Sequence, residues 1–207
     1  MSSEFHKTLT ISAASTTAVA ALQTLGGAGD LTLASSTVTL PNQGQRPSLT
    51  SANNLSAVTF TFYGTDVNGK TFSLAMAGPN ANTVILSVAM ATITRIAANA
   101  AAAAVSAGYA AQGETAMWPV DRRLAPVNIG LGITQVSTTY TLQHTFEDIY
   151  ASTFDPGTAV WFNHPSLTAL AAAADGNYSM PIAAFRLYGT GAGSARLDGY
   201  QGVGLAG

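Results

Sequence analysis

The residues able to do chemistry in this chain crowd into one region: His144, Glu147, Asp148, His164 and Ser166, with Asp175 a little further on. Two imidazoles and two carboxylates are the raw material of a hydrolytic or metal centre, since these groups serve as general bases and as metal ligands. Their spacing matches no metal motif. On strands, His144 and Asp148 are not neighbours as they would be on a helix, and no third histidine lies near. The acids therefore read as loop residues and the histidines as structural hydrogen-bonding groups. Ser166, His164 and Asp175 have the composition of a nucleophilic triad. No G-x-S-x-G elbow accompanies them, however, and nothing supplies an oxyanion hole. Asp66, Asn68 and Gly69, and again Asp175 and Asn177, echo fragments of a calcium loop. Both lack the further oxygen ligands and the closing glutamate, so turn chemistry accounts for them. No catalytic, metal-binding or cofactor-binding residue is expected.

Aromatic and guanidinium groups are the other notable side chains. Trp118, Tyr140, Trp161 and Phe162 could line a ligand cleft, but aromatics at this density on strands more often form core or interface anchors. Arg122, Arg123, Arg186 and Arg196 fall in the second half of the chain, and arginine is enriched at interfaces. The expected interface set is Trp118, Arg122, Arg123, Tyr140, Trp161 and Phe162.

The elements that must position these residues are strands. Residues 57–65 alternate Val58, Phe60 and Phe62 with threonine and tyrosine, the period of a half-buried strand. Asn68-Gly69 follows as a hairpin turn, and residues 71–76 return antiparallel. Residues 83–88 and 91–98 continue this as a meander or sandwich sheet. Residues 7–12, 31–35 and 36–41 are shorter strands, and 41–56 reads as loop. The alanine-rich stretch 97–114 reads as a turn, a small-residue strand and a linker, with a short helix as the alternative. Residues 126–134, 137–146 and 159–164 are strands. In the second of these, Tyr140, Leu142 and His144 share one face. In the third, Val160 and Phe162 face one way, Trp161 and Asn163 the other. Residues 166–177 hold one or two helical turns before an Asp175-Gly176-Asn177 turn. Pro181 interrupts a strand over 178–191, and 194–202 is the last strand. The fold class is all-β, as two small antiparallel β-sandwich or jelly-roll-like domains over residues 1–115 and 116–207.

Bulk composition narrows the function classes. Only 9% of the 207 residues are charged and 47% are hydrophobic, against about 25% charged in an average domain. Serine, threonine, asparagine, glycine and alanine must cover the surface, which suits a protein seated against others in a large assembly. It also fits a secreted or halotolerant domain. The net charge of -2, with no basic block, argues against binding nucleic acid through phosphate neutralisation. With no cysteine, disulfides, thiolate metal sites and thiol catalysis are excluded. The N-terminal residues lack the uninterrupted apolar run of a signal peptide, and no stretch is apolar enough for a membrane-spanning helix. Synthesis in a cytoplasm, with no membrane association, is expected.

Two segments carry a resemblance. "TFTFYGTDVNGKTFSLAMAGPNANTV" (59–84) is similar to a pattern found in virion proteins of tailed bacteriophages: strand, Gly-Thr-Asp, Asn-Gly turn, strand, Gly-Pro-Asn, strand. "YTLQHTFEDI" (140–149), followed by "WFNHPSL", "ADGN" and "PIAAFRL", resembles the second half of the same proteins. The resemblance spans roughly residues 58–187, and the alanine-rich stretch departs from it. It implies a non-enzymatic structural component of the virion, assembled in the host cytoplasm without cofactors. The first reading is a capsid decoration (cement) protein that binds the major capsid protein and copies of itself, with a trimer implied. The second is a neck or tail accessory protein. A carbohydrate- or receptor-binding sandwich, with Trp118, Tyr140 and Trp161 as exposed stacking platforms, is a third class. A hydrolase using His144, His164 and Asp148 is the fourth.

Overall fold

The computed structural model describes residues 3–121, 127–155 and 157–203. The protein is all-β, with antiparallel pairing throughout the described strands. It divides into two compact units, Ser12–Gly113 and Met1–Ile11 with Glu114–Gly207. The chain passes between the units twice, after Ile11 and after Gly113. The first strand, β1 (Ser3–Ile11), belongs with the C-terminal residues rather than with the segment that follows it.

The Ser12–Gly113 unit contains β2 (Ser15–Leu25), β3 (Gly29–Asp30), β4 (Val38–Thr39), β5 (Gln45–Ser51), β6 (Thr59–Asp66), β7 (Thr71–Ala77), β8 (Thr83–Ile85), β9 (Met90–Ala98) and β10 (Ala102–Glu114). One layer runs β2-β10-β5-β8; the other runs β9-β6-β7, with β3 and β4 on the free edge of β9. A bridge between Gln45 and Met90 joins the layers. Their inner faces meet in one apolar core, with Leu49 and Val105 from the first layer and Phe60, Phe62, Ile93 and Ile96 from the second. Alternation along β6 sends Phe60 and Phe62 inward as the sequence predicts. The Asn68-Gly69 hairpin is formed as well. Gly69 has φ +80°, and the Asp66 carboxylate accepts hydrogen bonds from the Asn68 and Lys70 amides.

Four expectations fail here. Residues 41–56 are not all loop: β5 lies at the centre of a layer, with Leu49 fully buried. Its polar composition hides it, because Gln45 is buried by bonding its amide to the Ser12 and Ala110 carbonyls. Residues 83–85 pair with β5 rather than continuing the β6–β7 meander. Residues 31–35 form no strand, although Leu31 enters the core. In the alanine-rich stretch the expected turn and small-residue strand form, but the strand runs on to Glu114 where a linker is expected. Small side chains allow close approach of neighbouring backbones: a Cβ at Gly108 would sit 1.8 Å from the Ser15 carbonyl of β2.

The second unit adds β11 (Trp118–Pro119), β12 (Val127–Thr134), β13 (Thr139–Thr145), β14 (Phe162–Asn163), β15 (Ala174–Tyr178), β16 (Ala184–Thr190) and β17 (Gly193–Val203) to β1. One sheet has the order β1-β17-β12-β15; facing it are β14-β13-β16 with β11 beyond β16. β1 and β17 pair along their whole length, from Ser3 opposite Gln201 to Ile11 opposite Gly193. Phe5, Leu9 and Ile11 drive this by burying their side chains. The Phe5 ring lies against Trp118 and Phe185, with centroids 5.1 and 5.0 Å away. It also covers Gly199, its partner in register. A Cβ there would be 1.9 Å from Phe5 Cζ, so the ring needs the missing side chain. The helical turns expected over 166–177 are absent. Asp175, Gly176 and Asn177 form a strand on the edge of β12, with Tyr178 turned inward. Pro181 separates β15 from β16 instead of bending one strand.

Phe5→Ala removes a ring at the centre of this unit and should cost about 3–5 kcal/mol of stability. The urea midpoint of the variant measures it. A loss no larger than that of an exposed substitution would show that β1 is not an integral strand.

Candidate functional site

Alternation along β13 buries Tyr140, Leu142 and His144 on one face. At the end of that face, His144 meets Tyr178 from β15, and Tyr178 in turn meets His164. The Tyr178 ring centroid is 5.1 Å from that of His144 and 4.9 Å from that of His164. Burial pushes the Tyr178 hydroxyl well above the usual phenol range, so it keeps its proton, and it lies within hydrogen-bonding distance of His144 Nδ1 at 3.2 Å. His164 Nε2 lies 3.2 Å from the Asn177 carbonyl, which can only accept. His164 Nδ1 is therefore the acceptor, here for the Ser166 amide at 3.3 Å. Burial, and then the proximity of His164, holds the His144 pKa below the ordinary value of 6.5.

Outside the buried pair lies an apolar edge. β14 is two residues long and, among the described residues, pairs with β13 alone, His144 opposite Phe162. Phe162 stacks on His144 at 5.9 Å and meets Phe146 edge-on at 5.6 Å. Phe146 is 51% exposed, Phe162 47% and Val160 54%. Glu147 holds these together by accepting the Val160 amide at 2.6 Å. Asp148 caps the next turn through the Tyr150 amide, and Tyr150 is itself exposed. The two acids are loop residues, and the two histidines lie behind the exposed rings.

The triad residues do not assemble. Ser166 Oγ is 3.3 Å from His164 Nδ1, but the other ring nitrogen faces a backbone carbonyl, not Asp175. Among the described residues, no group of three or more histidine, aspartate or glutamate side chains is placed to hold a metal ion.

The expected interface set separates. Phe162 is exposed. Tyr140 is fully buried, its hydroxyl donating to the Ala172 carbonyl. Trp118 is partly buried against Phe5. Trp161 is also partly buried, with the Arg186 guanidinium 4.0 Å from its ring centroid. Neither Tyr140 nor the two tryptophans are free stacking platforms, because each supplies core packing. Arg186 is an internal node, bonded to Gln143 at 3.0 Å and 3.5 Å from Glu114. Arg122 and Arg123 lie outside the described residues. Sequence reasoning missed Phe146 and Val160 as exposed members. Phe146 keeps the parity of the buried residues of β13 but falls just beyond the strand end, where parity no longer buries it.

The chain matches no family model, no curated protein and no solved structure. The apolar edge is thus read from its own chemistry.

A histidine held neutral in the fold favours folding above its unfolded pKa. That contribution fades as pH falls below about 6.5 toward the lower folded value. The urea midpoint should therefore decline between pH 7.5 and 5.5. His144→Phe, which keeps the ring volume and cannot titrate, should flatten the decline. An unchanged slope in that variant would rule His144 out as its source.

Proposed function

We propose that this protein is a non-enzymatic structural component of a bacteriophage virion, and most specifically a capsid decoration protein. The observation that carries this reading is the exposed edge formed by Phe146, Val160 and Phe162. Contiguous apolar rings on a sheet edge are costly to leave in water, and here they sit beside the two-residue strand β14 at the end of its sheet. Such a surface is suited to burial against another protein. The composition supports the same reading. With 9% charged residues, little electrostatic repulsion opposes packing into a lattice, and salt would screen little of the attraction. The resemblance of residues 59–84 and 140–187 to tailed-phage virion proteins supplies the assembly.

In this reading the apolar edge docks on the major capsid protein or on a neighbouring copy of the chain, and self-association as a trimer completes the unit. Many identical contacts share the work of bracing the shell, so each one can be modest. A neck or tail accessory role uses the same surface at lower copy number.

Quantitative mass spectrometry of purified particles tests the proposal. A ratio to the major capsid protein between one to one and one to a few is expected for a decoration protein, and a few per cent for a neck or tail component. Absence from particles would sink both. Phe146→Ser combined with Phe162→Ser should cut incorporation at least tenfold. Because both rings are already exposed, stability should move by only about 0.5 kcal/mol per site.

A further inference from the structure

The outward face of the β1-β17-β12-β15 sheet carries a pattern that capsid docking through the apolar edge does not use. Cross-strand register sets Glu4, Tyr200, Gly130 and Asn177 in one row and His6, Asp198, Gly132 and Asp175 in the next. The strand neighbours Phe5, Ile129, Leu131, Tyr178 and Leu197 are buried, so these rows face outward. At Gly130 and Gly132 an added Cβ would meet nothing within 4 Å. No packing demands glycine at either place. The missing side chains leave a trough of about 390 Å³ lined by Glu4, His6, Gly130, Gly132, Asp198 and Tyr200.

The groups along the trough are held ready. Tyr200 is 48% exposed and offers its ring beside the glycine floor. Asp198 is fixed by His6 Nδ1 at 2.6 Å, Arg196 Nη2 at 2.8 Å and Arg196 Nε at 2.9 Å. All three contacts fall on Oδ1, which leaves Oδ2 to accept from a ligand. Glu4 supplies a second carboxylate in the row beside it.

An aromatic ring next to fixed acceptors over a shallow, open floor fits a pyranose. Its C–H face lies on the ring, and its hydroxyl pairs donate charge-assisted hydrogen bonds to the carboxylates. The sign of the charge selects among sugars. The basic side chains beside the trough, His6 and Arg196, are both engaged with Asp198. Glu4 and Asp198 would repel uronates, sialates and sugar phosphates. We infer that this face is a carbohydrate-binding site for neutral hexopyranose glycans, with Tyr200 as the stacking platform and Glu4 and Asp198 as hydroxyl acceptors.

Saturation-transfer difference NMR on the full chain tests this, with maltoheptaose, mannopentaose and lactose as neutral probes and an oligogalacturonate as the acidic control. Transfer to at least one neutral probe is expected, and none to the acid. Tyr200→Ala should weaken binding at least tenfold. Gly130→Val should abolish it by filling the trough. Valine suits an open strand position, so circular dichroism and Tm should be kept. Should that variant fail to fold, Glu4→Gln replaces it, with a fivefold or greater loss expected. Transfer to none of the three neutral probes would overturn the inference. So would binding that survives these substitutions, or an oligogalacturonate that binds as well as the neutral sugars. None of these outcomes bears on the particle stoichiometry, so the two readings stand or fall separately.

Discussion

Residues 3–11 complete a sheet whose other strands all follow residue 126. The second unit depends on that pairing. Without β1, the Phe185 and Trp118 rings lose the ring that packs between them, and Gly199 is left facing a void. The pairing also builds the outward face, since Glu4 and His6 arrive on β1 and Tyr200 and Asp198 on β17. One apolar residue, Phe5, therefore stands behind both the core on its inner side and the trough on the outer.

Charge is scarce here and is spent internally. Arg186 links Glu114, Gln143 and Trp161 while almost fully buried. Burying an ion pair costs desolvation that its attraction only partly offsets, so this node is better understood as fixing geometry than as adding stability. The histidine pair works similarly. Tyr178 packs between the two imidazole rings, with a hydrogen-bonding contact to His144, while His164 is held by the Asn177 carbonyl and the Ser166 amide. The exposed Phe146 and Phe162 rings both pack against His144 of this pair and against each other.

Much of the fold was legible. Period-two alternation located β6, β7 and β13, strand-like segments between turn signals located β9, β12 and β17, and Asn68-Gly69 located a hairpin, because the turn demands positive φ. The failures share a cause. β5 is buried on both faces with polar side chains satisfied by backbone, and β2 and β10 are built of alanine, serine and threonine that pack closely without a strong pattern. Pairing partners were not legible either. Nothing local in "SEFHKTLTI" announces β17, and nothing in "TVI" announces β5 over β7. At the site, the shared parity of Val160 and Phe162 was readable. The burial of Tyr140 and the packing of both tryptophans were not, since aromatic type alone does not distinguish a core ring from a platform.

The order of strands has a consequence for how the chain is made. As synthesis proceeds, the Ser12–Gly113 unit has all its strands once residue 113 has emerged, and it can close early. β1 emerges before that unit, yet its partner β17 emerges only after it. β1 must wait, apolar side chains uncovered, until β17 has left the ribosome. Early closure of the intervening unit shortens that wait in space if not in time. Its entering strand β2 and its leaving strand β10 are hydrogen-bonded neighbours, with Ser15 opposite Tyr109. Folding thus contracts a hundred-residue loop, roughly, to a short one and removes most of the closure entropy between β1 and its partners. A chain of high contact order is assembled here as two nested problems of lower order.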